Sequence, residues 1–300
     1  MASPTVFTIT DEPFLPGVCG LINALRSGGF RGRIIVGMPT ALRALDGVEG
    51  VESVVLDVSG LWVGFHKPAL LLRHATDSFL FLDADIIVAQ PGFLEQVEAF
   101  STIGPLLALE GLVGPRDGRR LRWAERLGTS EPRRDAWAYY NGGFLAGRVA
   151  RDRNLLEEWE RSIRAVLSRV AGYQQDAEFP FGDQDVLNAV MQTWTGPVVS
   201  IQFPDWWSAA SSLNPFLHVG AFARTAFYHS TGPKPWQLTA VPARNPTPYE
   251  SLWFHHAVLE PSAVRLPCDL PISVRKWLEG AWSGRLASRA KRLTKRLAGW

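Results

Sequence analysis

Apolar residues in this chain fall into short runs separated by amphipathic stretches. Thr5 to Thr10, Arg33 to Val36, Val51 to Val58 and Ser78 to Leu82 are short apolar segments, and each predicts a strand. Between them, Gly17 to Arg26 sets Leu21, Ile22 and Leu25 at helical spacing, and Lys67 to His74 predicts a second helix. Further on, Leu155, Leu156, Trp159, Ile163, Val166, Leu167 and Val170 mark one face of a long helix over Asp152 to Val170. Strands alternating with helices predict an α/β fold with a mostly parallel sheet flanked by helices. Parallel strands are buried on both faces and read as near-continuous apolar runs, as in "FLFL" from Phe79 to Leu82. In open sheets of this kind, ligands bind beyond the carboxyl ends of the strands.

At that end of the fourth strand stand two acids, Asp83 and Asp85, separated by Ala84. A charge left unpaired in an apolar interior costs several kcal/mol. If the segment stays extended, residues two apart point the same way, and the carboxylates converge on one point. A hard divalent cation would relieve their repulsion. The bland alternative is a strand end with two solvated acids. Three later segments bear on the choice. "YYNGGFLAG" (Tyr139 to Gly147) reads as a turn at Asn141-Gly142-Gly143 followed by a strand. "FGDQDVLNAV" (Phe181 to Val190) reads as a helix capped by Asp183, with Val186, Leu187, Val190, Met191 and Trp194 as its buried stripe. "HSTGPKPW" (His229 to Trp236) is a loop holding an imidazole and a lysine before a packed Trp.

Bulk properties narrow the classes. Three hundred residues with 46% hydrophobic content bury a large core, and a charged fraction of 20% excludes a disordered chain. Cys19 and Cys268 fit no zinc spacing and no disulfide framework, which suggests a reducing compartment. The first residues, MASPTVFTITDE, carry no signal-peptide pattern, and no apolar run reaches the roughly 20 residues that span a bilayer. The expected location is therefore cytoplasmic.

Charge is uneven. Residues 273–300 hold eight Lys or Arg against one acid, Glu279, for +7. The remainder holds 23 bases against 28 acids, for −5. Leu278, Trp282, Leu286, Ala290, Leu293, Leu297 and Trp300 recur every three or four residues beside a row of arginines, so a basic amphipathic helix is expected there. That composition suits an anionic membrane surface, at the inner face of the cell membrane. A helix docked on its own domain is the competing reading. Nucleic acid is not expected as a partner, because the basic excess is confined to the tail. The expected layout is a catalytic domain over 1–272 and a tail over 273–300. An arginine-rich insertion at 111–136 is expected to be an irregular lid over the donor or a solvated loop.

The four segments, in this order from Thr5 to Trp236, resemble glycosyltransferase family 8, the retaining enzymes of the GT-A (Rossmann-like) fold. The resemblance implies that Asp83 and Asp85, with Ala84 between them, bind Mn²⁺ together with His229, with Mg²⁺ as the second choice. It implies that Lys234, after Gly232, contacts the diphosphate of a UDP-sugar, and that Lys67 belongs to the same site. Asn141, Asp183 and Gln184 would face the donor sugar, with Asp183 or Gln184 at the anomeric centre. Thr8, Thr10 and Asp11 would bind uracil or ribose, and Phe14 would pack on the base. The acceptor implied is a glycan or lipid-linked saccharide. Two departures stand out: Asn-Gly-Gly replaces the family's frequent Asn-Ser-Gly, and only Pro233 separates Gly232 from Lys234 where two residues are usual. Two rivals remain. A phosphatase of the haloacid dehalogenase type also sets Asp-x-Asp after a strand, but carries Thr where this chain has Ile87. A non-catalytic nucleotide-sugar-binding or membrane-scaffold protein would bind the nucleotide without releasing UDP.

Overall fold

A computed structural model describes residues 3–58, 60–90, 92–114, 116–129, 138–167, 176–202, 226–230 and 232–280. The chain forms two compact units. The first takes the described parts of Met1–Pro13, Arg31–Ala84 and Gly92–Phe203; the second takes those of Phe14–Phe30, Asp85–Pro91 and Pro204–Trp300.

In chain order the strands are β1 (Thr5–Ile9), β2 (Ile34–Met38), β3 (Val51–Val55), β4 (Ser78–Leu82), β5 (Ile86–Val88), β6 (Leu106–Leu112), β7 (Ala138–Arg148), β8 (Val199–Gln202) and β9 (Phe227–His229). The helices are α1 (Leu15–Ser27), α2 (Lys67–His74), α3 (Phe93–Ser101), α4 (Gly118–Leu127), α5 (Val149–Leu167), α6 (Asp183–Met191) and α7 (Pro248–Phe254).

The first unit is built on a seven-stranded sheet in the order β3-β2-β1-β4-β7-β6-β8. Only β7 runs against the rest, pairing antiparallel with β4 and β6. Val6, Phe7, Ile34, Ile35, Leu80 and Phe81 are all essentially inaccessible, as strands covered on both faces require. Phe7, Ile9, Phe79, Phe81 and Leu145 share one face and pack with Trp159, Ile163, Val186 and Leu187 of α5 and α6. On the other face Phe93 of α3 meets Phe144 at 5.9 Å between ring centres. The α5 face read from periodicity is buried as expected over its described length; Val170 lies outside the described residues.

Much of the arginine-rich insertion is not irregular. Within it β6 runs on to Leu112 and α4 occupies Gly118–Leu127. Asp117 caps α4 by accepting from the Arg119 N–H at 2.9 Å, and Gly128 ends it at φ 62°. Trp123 is fully buried, stacks near Tyr139 and Phe179, and donates its indole N–H to the Glu178 carbonyl. The arginines hid this element: Arg120, Trp123 and Leu127 form its inward stripe, and Arg120 is buried with its guanidinium on Gln192. Residues 130–137 lie outside the described residues.

The second unit packs α1, β5 and α7 around Ala24, Ile87, Tyr249, Trp253 and Phe254. Gly20 lets α1 approach Trp253, where an added Cβ would lie 2.5 Å from the ring. A helix at 272–280 contributes Val274 and Leu278, both fully buried, to the same core. The stretch from 281 on, which carries most of the predicted basic tail, lies outside the described residues. Among the described residues no helix is long and apolar enough to cross a membrane.

Candidate functional site

The chain passes from the first unit to the second between Ala84 and Asp85, inside the acidic motif. The motif is not extended. β4 ends at Leu82, a turn holds Ala84 and Asp85, and β5 begins at Ile86. The period-two alternation expected of an extended motif is therefore broken by the turn.

In the first unit, Asp83 is fixed just past the strand by its own N–H, which donates to the Gly143 carbonyl at 2.8 Å. Its half-exposed carboxylate meets the ammonium of Lys67 at 2.9 Å, and the same ammonium meets Asp183 at 2.9 Å and the Gly142 carbonyl at 3.1 Å. Lys67 is buried at the first position of α2, where the helix dipole disfavours a cation. Burial alone would lower its pKa; Asp183 and Asp83 outweigh that and hold it raised.

Asp183 does not cap α6. Gly182, at φ 53°, takes that place, and the Asp183 carboxylate turns to Lys67. Burial is the main cause that lifts its pKa to about 6, against Lys67 and with help from Asp83. A carboxyl so raised contributes stability that is present below about pH 4 and lost as pH rises through about 6. Thermal melts of Asp183→Asn, which stays neutral, should therefore gain on the parent protein between pH 4 and pH 7; a constant difference across that window contradicts this.

Gln184 is more accessible and held from both ends. Its amide oxygen accepts from the Gly142 N–H at 2.9 Å and from Asn141 at 3.1 Å; its amide nitrogen donates to Glu110 and Tyr139, each at 3.1 Å. Asn141 also donates to Glu110 at 2.9 Å. The Asn-Gly-Gly run is not a turn before a strand but lies within β7. There, one step along β6, Leu107 to Ala108, answers to four along β7, Leu145 back to Asn141. The Asn141 side chain bridges this bulge by accepting from the Gly143 N–H at 2.7 Å. Glu110, exposed on β6, was not singled out from sequence; its only sequence signal is an acid within an apolar strand.

In the second unit, the pairing of β5 with β9 sets Ile86 opposite His229. The Ser230 N–H donates to the Asp85 carbonyl at 3.0 Å, so the ladder itself delivers the distant imidazole. His229 Nε2 lies 2.9 Å from one Asp85 oxygen, and Lys234 Nζ lies 2.5 Å from the other. Lys234 therefore reaches the motif despite the shortened spacing after Gly232. Burial would raise the Asp85 pKa, but His229 and Lys234 outweigh it and hold the carboxyl well below the usual range. Asp85 and His229 thus offer a carboxylate oxygen and an imidazole nitrogen side by side, two chain positions from the carboxylate of Asp83. Two carboxylates and an imidazole suit Mn²⁺, which accepts oxygen and nitrogen ligands.

The nucleotide-binding residues expected at the end of β1 are placed differently from one another. Thr8 is fully buried within the strand, with no partner for its hydroxyl among the described residues. Thr10 is also buried and donates to the Asp11 carbonyl at 2.9 Å; Asp11 is partly accessible. Phe14 packs edge-on to Trp236 at 6.4 Å and lies 5.9 Å from the Lys234 ammonium. Trp236 in turn packs on Trp253 at 5.2 Å, a core contact.

No family model matches the sequence, and no curated protein matches it. Solved structures do. The galactosyltransferase LgtC, crystallised with donor and acceptor sugar analogues, matches at 16% identity over 80% of this chain and 98% of its own, with a TM-score of 0.50. The chain has the GT-A fold. The bifunctional glycosyltransferase WbbM shares that GT-A architecture at 15% identity over 85% of this chain, which spans 49% of WbbM, with a TM-score of 0.51. The glycosyltransferase GlyE of Streptococcus pneumoniae TIGR4 does so at 13% identity over 94% of this chain and 64% of its own, with a TM-score of 0.51.

Proposed function

We propose that this GT-A chain is a retaining glycosyltransferase of the family 8 type, moving a hexose from a UDP-sugar to a glycan or lipid-linked saccharide with Mn²⁺. The observation that carries the reading is the Asp83–Ala84–Asp85 motif at the carboxyl end of a parallel strand, with His229 delivered beside Asp85 by the β5–β9 pairing. The glycosyltransferases that match in fold, one of them solved with donor and acceptor sugar analogues, add to it.

Each side chain then has a task. Asp83, Asp85 and His229 would hold the cation, which when bound stabilises the negative charge of the departing diphosphate. Lys234 would add a fixed positive charge at the same oxygens. Lys67 keeps Asp83 and Asp183 in place and neutralises their mutual repulsion. Gln184 presents its amide oxygen in an orientation set by Gly142 and Asn141, and would stabilise positive charge growing at the anomeric carbon. Asp183 stands one residue away with a pKa of about 6, and is the carboxylate available for the same role near neutral pH.

UDP-sugars should protect the protein against thermal unfolding only when Mn²⁺ is present, and one of them should release UDP slowly in water. Protection by a UDP-sugar without release of UDP in the presence of acceptors would favour the non-catalytic binder. Release of phosphate from simple phosphate esters would favour the phosphatase.

The basic segment 273–300 is proposed to attach the enzyme to an anionic bilayer at the cytoplasmic face. Removing 281–300 spares Val274 and Leu278, which belong to the core. Six of the eight basic residues lie in that stretch. At roughly 1 kcal/mol each near an anionic surface, their loss should weaken binding to phosphatidylserine-containing liposomes by at least about 100-fold. Equal binding by full-length and shortened protein contradicts the attachment.

A further inference from the structure

The two lysines of the site are not equivalent. Lys67 has two carboxylates, Asp83 and Asp183, so it keeps a partner if Asp83 turns to a cation. Lys234 has one. Among the described residues its ammonium meets Asp85 and the Ser230 carbonyl, and Asp85 is the sole carboxylate in ion-pair reach. Both groups are nearly buried, Lys234 at 7% and Asp85 at 9% exposure. The second Asp85 oxygen is held by His229.

A divalent cation seated on Asp85 beside His229 shares one carboxylate with the Lys234 ammonium, and the repulsion between the two cations drives Lys234 off it. An ammonium stripped of its only carboxylate in a buried setting is strongly disfavoured unless another anion arrives. We infer, building on the site reading above, that Lys234 is the resident cation of Asp85, and that a divalent metal and a nucleoside diphosphate bind together because the diphosphate receives the lysine the metal displaces. The lysine acts as a latch that keeps the metal out until the donor is present. Neither partner alone resolves the exchange: metal alone leaves Lys234 unpaired, and diphosphate alone competes with Asp85 for it.

The test is Mn²⁺ binding to the full chain, followed by the electron paramagnetic resonance of free Mn²⁺, with and without UDP. The parent protein should bind Mn²⁺ weakly alone and more tightly with UDP. Coupling in the parent alone would also follow from direct contact between metal and phosphates, so the variant decides. Lys234→Met should bind Mn²⁺ without UDP at least about tenfold tighter than the parent, and lose most of the coupling. Lys234→Arg, which keeps the charge, should stay weak. Unchanged or weaker Mn²⁺ binding by Lys234→Met overturns the inference while leaving the site reading intact. So does failure of both Lys234→Met and Lys234→Gln to fold by circular dichroism, because the lysine is then a fixed structural ion pair. Absence of Mn²⁺ binding to the parent even with UDP overturns the site reading, and the latch with it.

Discussion

Asp85→Asn is expected to lower Mn²⁺-dependent release of UDP from the donor by about 10²–10³-fold, the range found when one group aimed at developing charge is removed. The substitution keeps the shape of the side chain but removes its charge. It removes a proposed metal ligand and leaves the nearly buried Lys234 without its carboxylate. Rate and metal affinity should fall together. Asp83→Asn should be less damaging to the fold, because Asp83 is half exposed and Lys67 retains Asp183. Donor turnover by Asp85→Asn within a few-fold of the parent at saturating Mn²⁺ would remove the acid from the chemistry.

Trp159→Ala should cost about 3–5 kcal/mol of stability, a large share of the roughly 5–15 kcal/mol typical of a whole domain. Trp159 is fully buried at the centre of the α5 face, and its indole N–H donates to the Asp183 carbonyl at 3.0 Å. Trp159→Phe separates the two contributions. It keeps most of the apolar volume and loses the hydrogen bond, worth about 1 kcal/mol, and it frees the first turn of α6 beside the site. Urea unfolding followed by circular dichroism should rank parent, Phe and Ala in that order. If Phe and Ala are equally destabilised, the hydrogen bond outweighs the packing and the ranking fails.

The parallel part of the fold was legible because its signal is local. β4 and α2 match their predicted limits residue for residue, since a short apolar run bounded by polar residues and a helix opening on Lys-Pro need no distant partner. The acidic motif and its late imidazole were legible as a pattern, but not their cause. Only the β5–β9 register explains why His229 arrives beside Asp85. Three readings failed for a common reason: the local preference was overridden by a contact far away in sequence. Asp183 has the chemistry of a cap and is claimed by Lys67. Asn141-Gly142-Gly143 has the chemistry of a turn and is drawn into a bulged strand by β6. The arginines of α4 have the composition of a loop, yet Trp123 pins them to the core. Glu110 went unnoticed because its meaning lies entirely in Asn141 and Gln184, 31 and 74 residues away.

Gly142 turns a departure from the family pattern into a fitted joint. A Cβ at this position would sit 3.0 Å from the Cβ of Gln184 and 3.1 Å from its Cα, the latter a backbone atom that does not swing aside. A serine at this position would thus act as a wedge, tilting Gln184 by a few tenths of an ångström. The residue that looks like a loss is what lets the neighbouring helix seat this closely, and a larger side chain could be installed here only by re-machining both surfaces together.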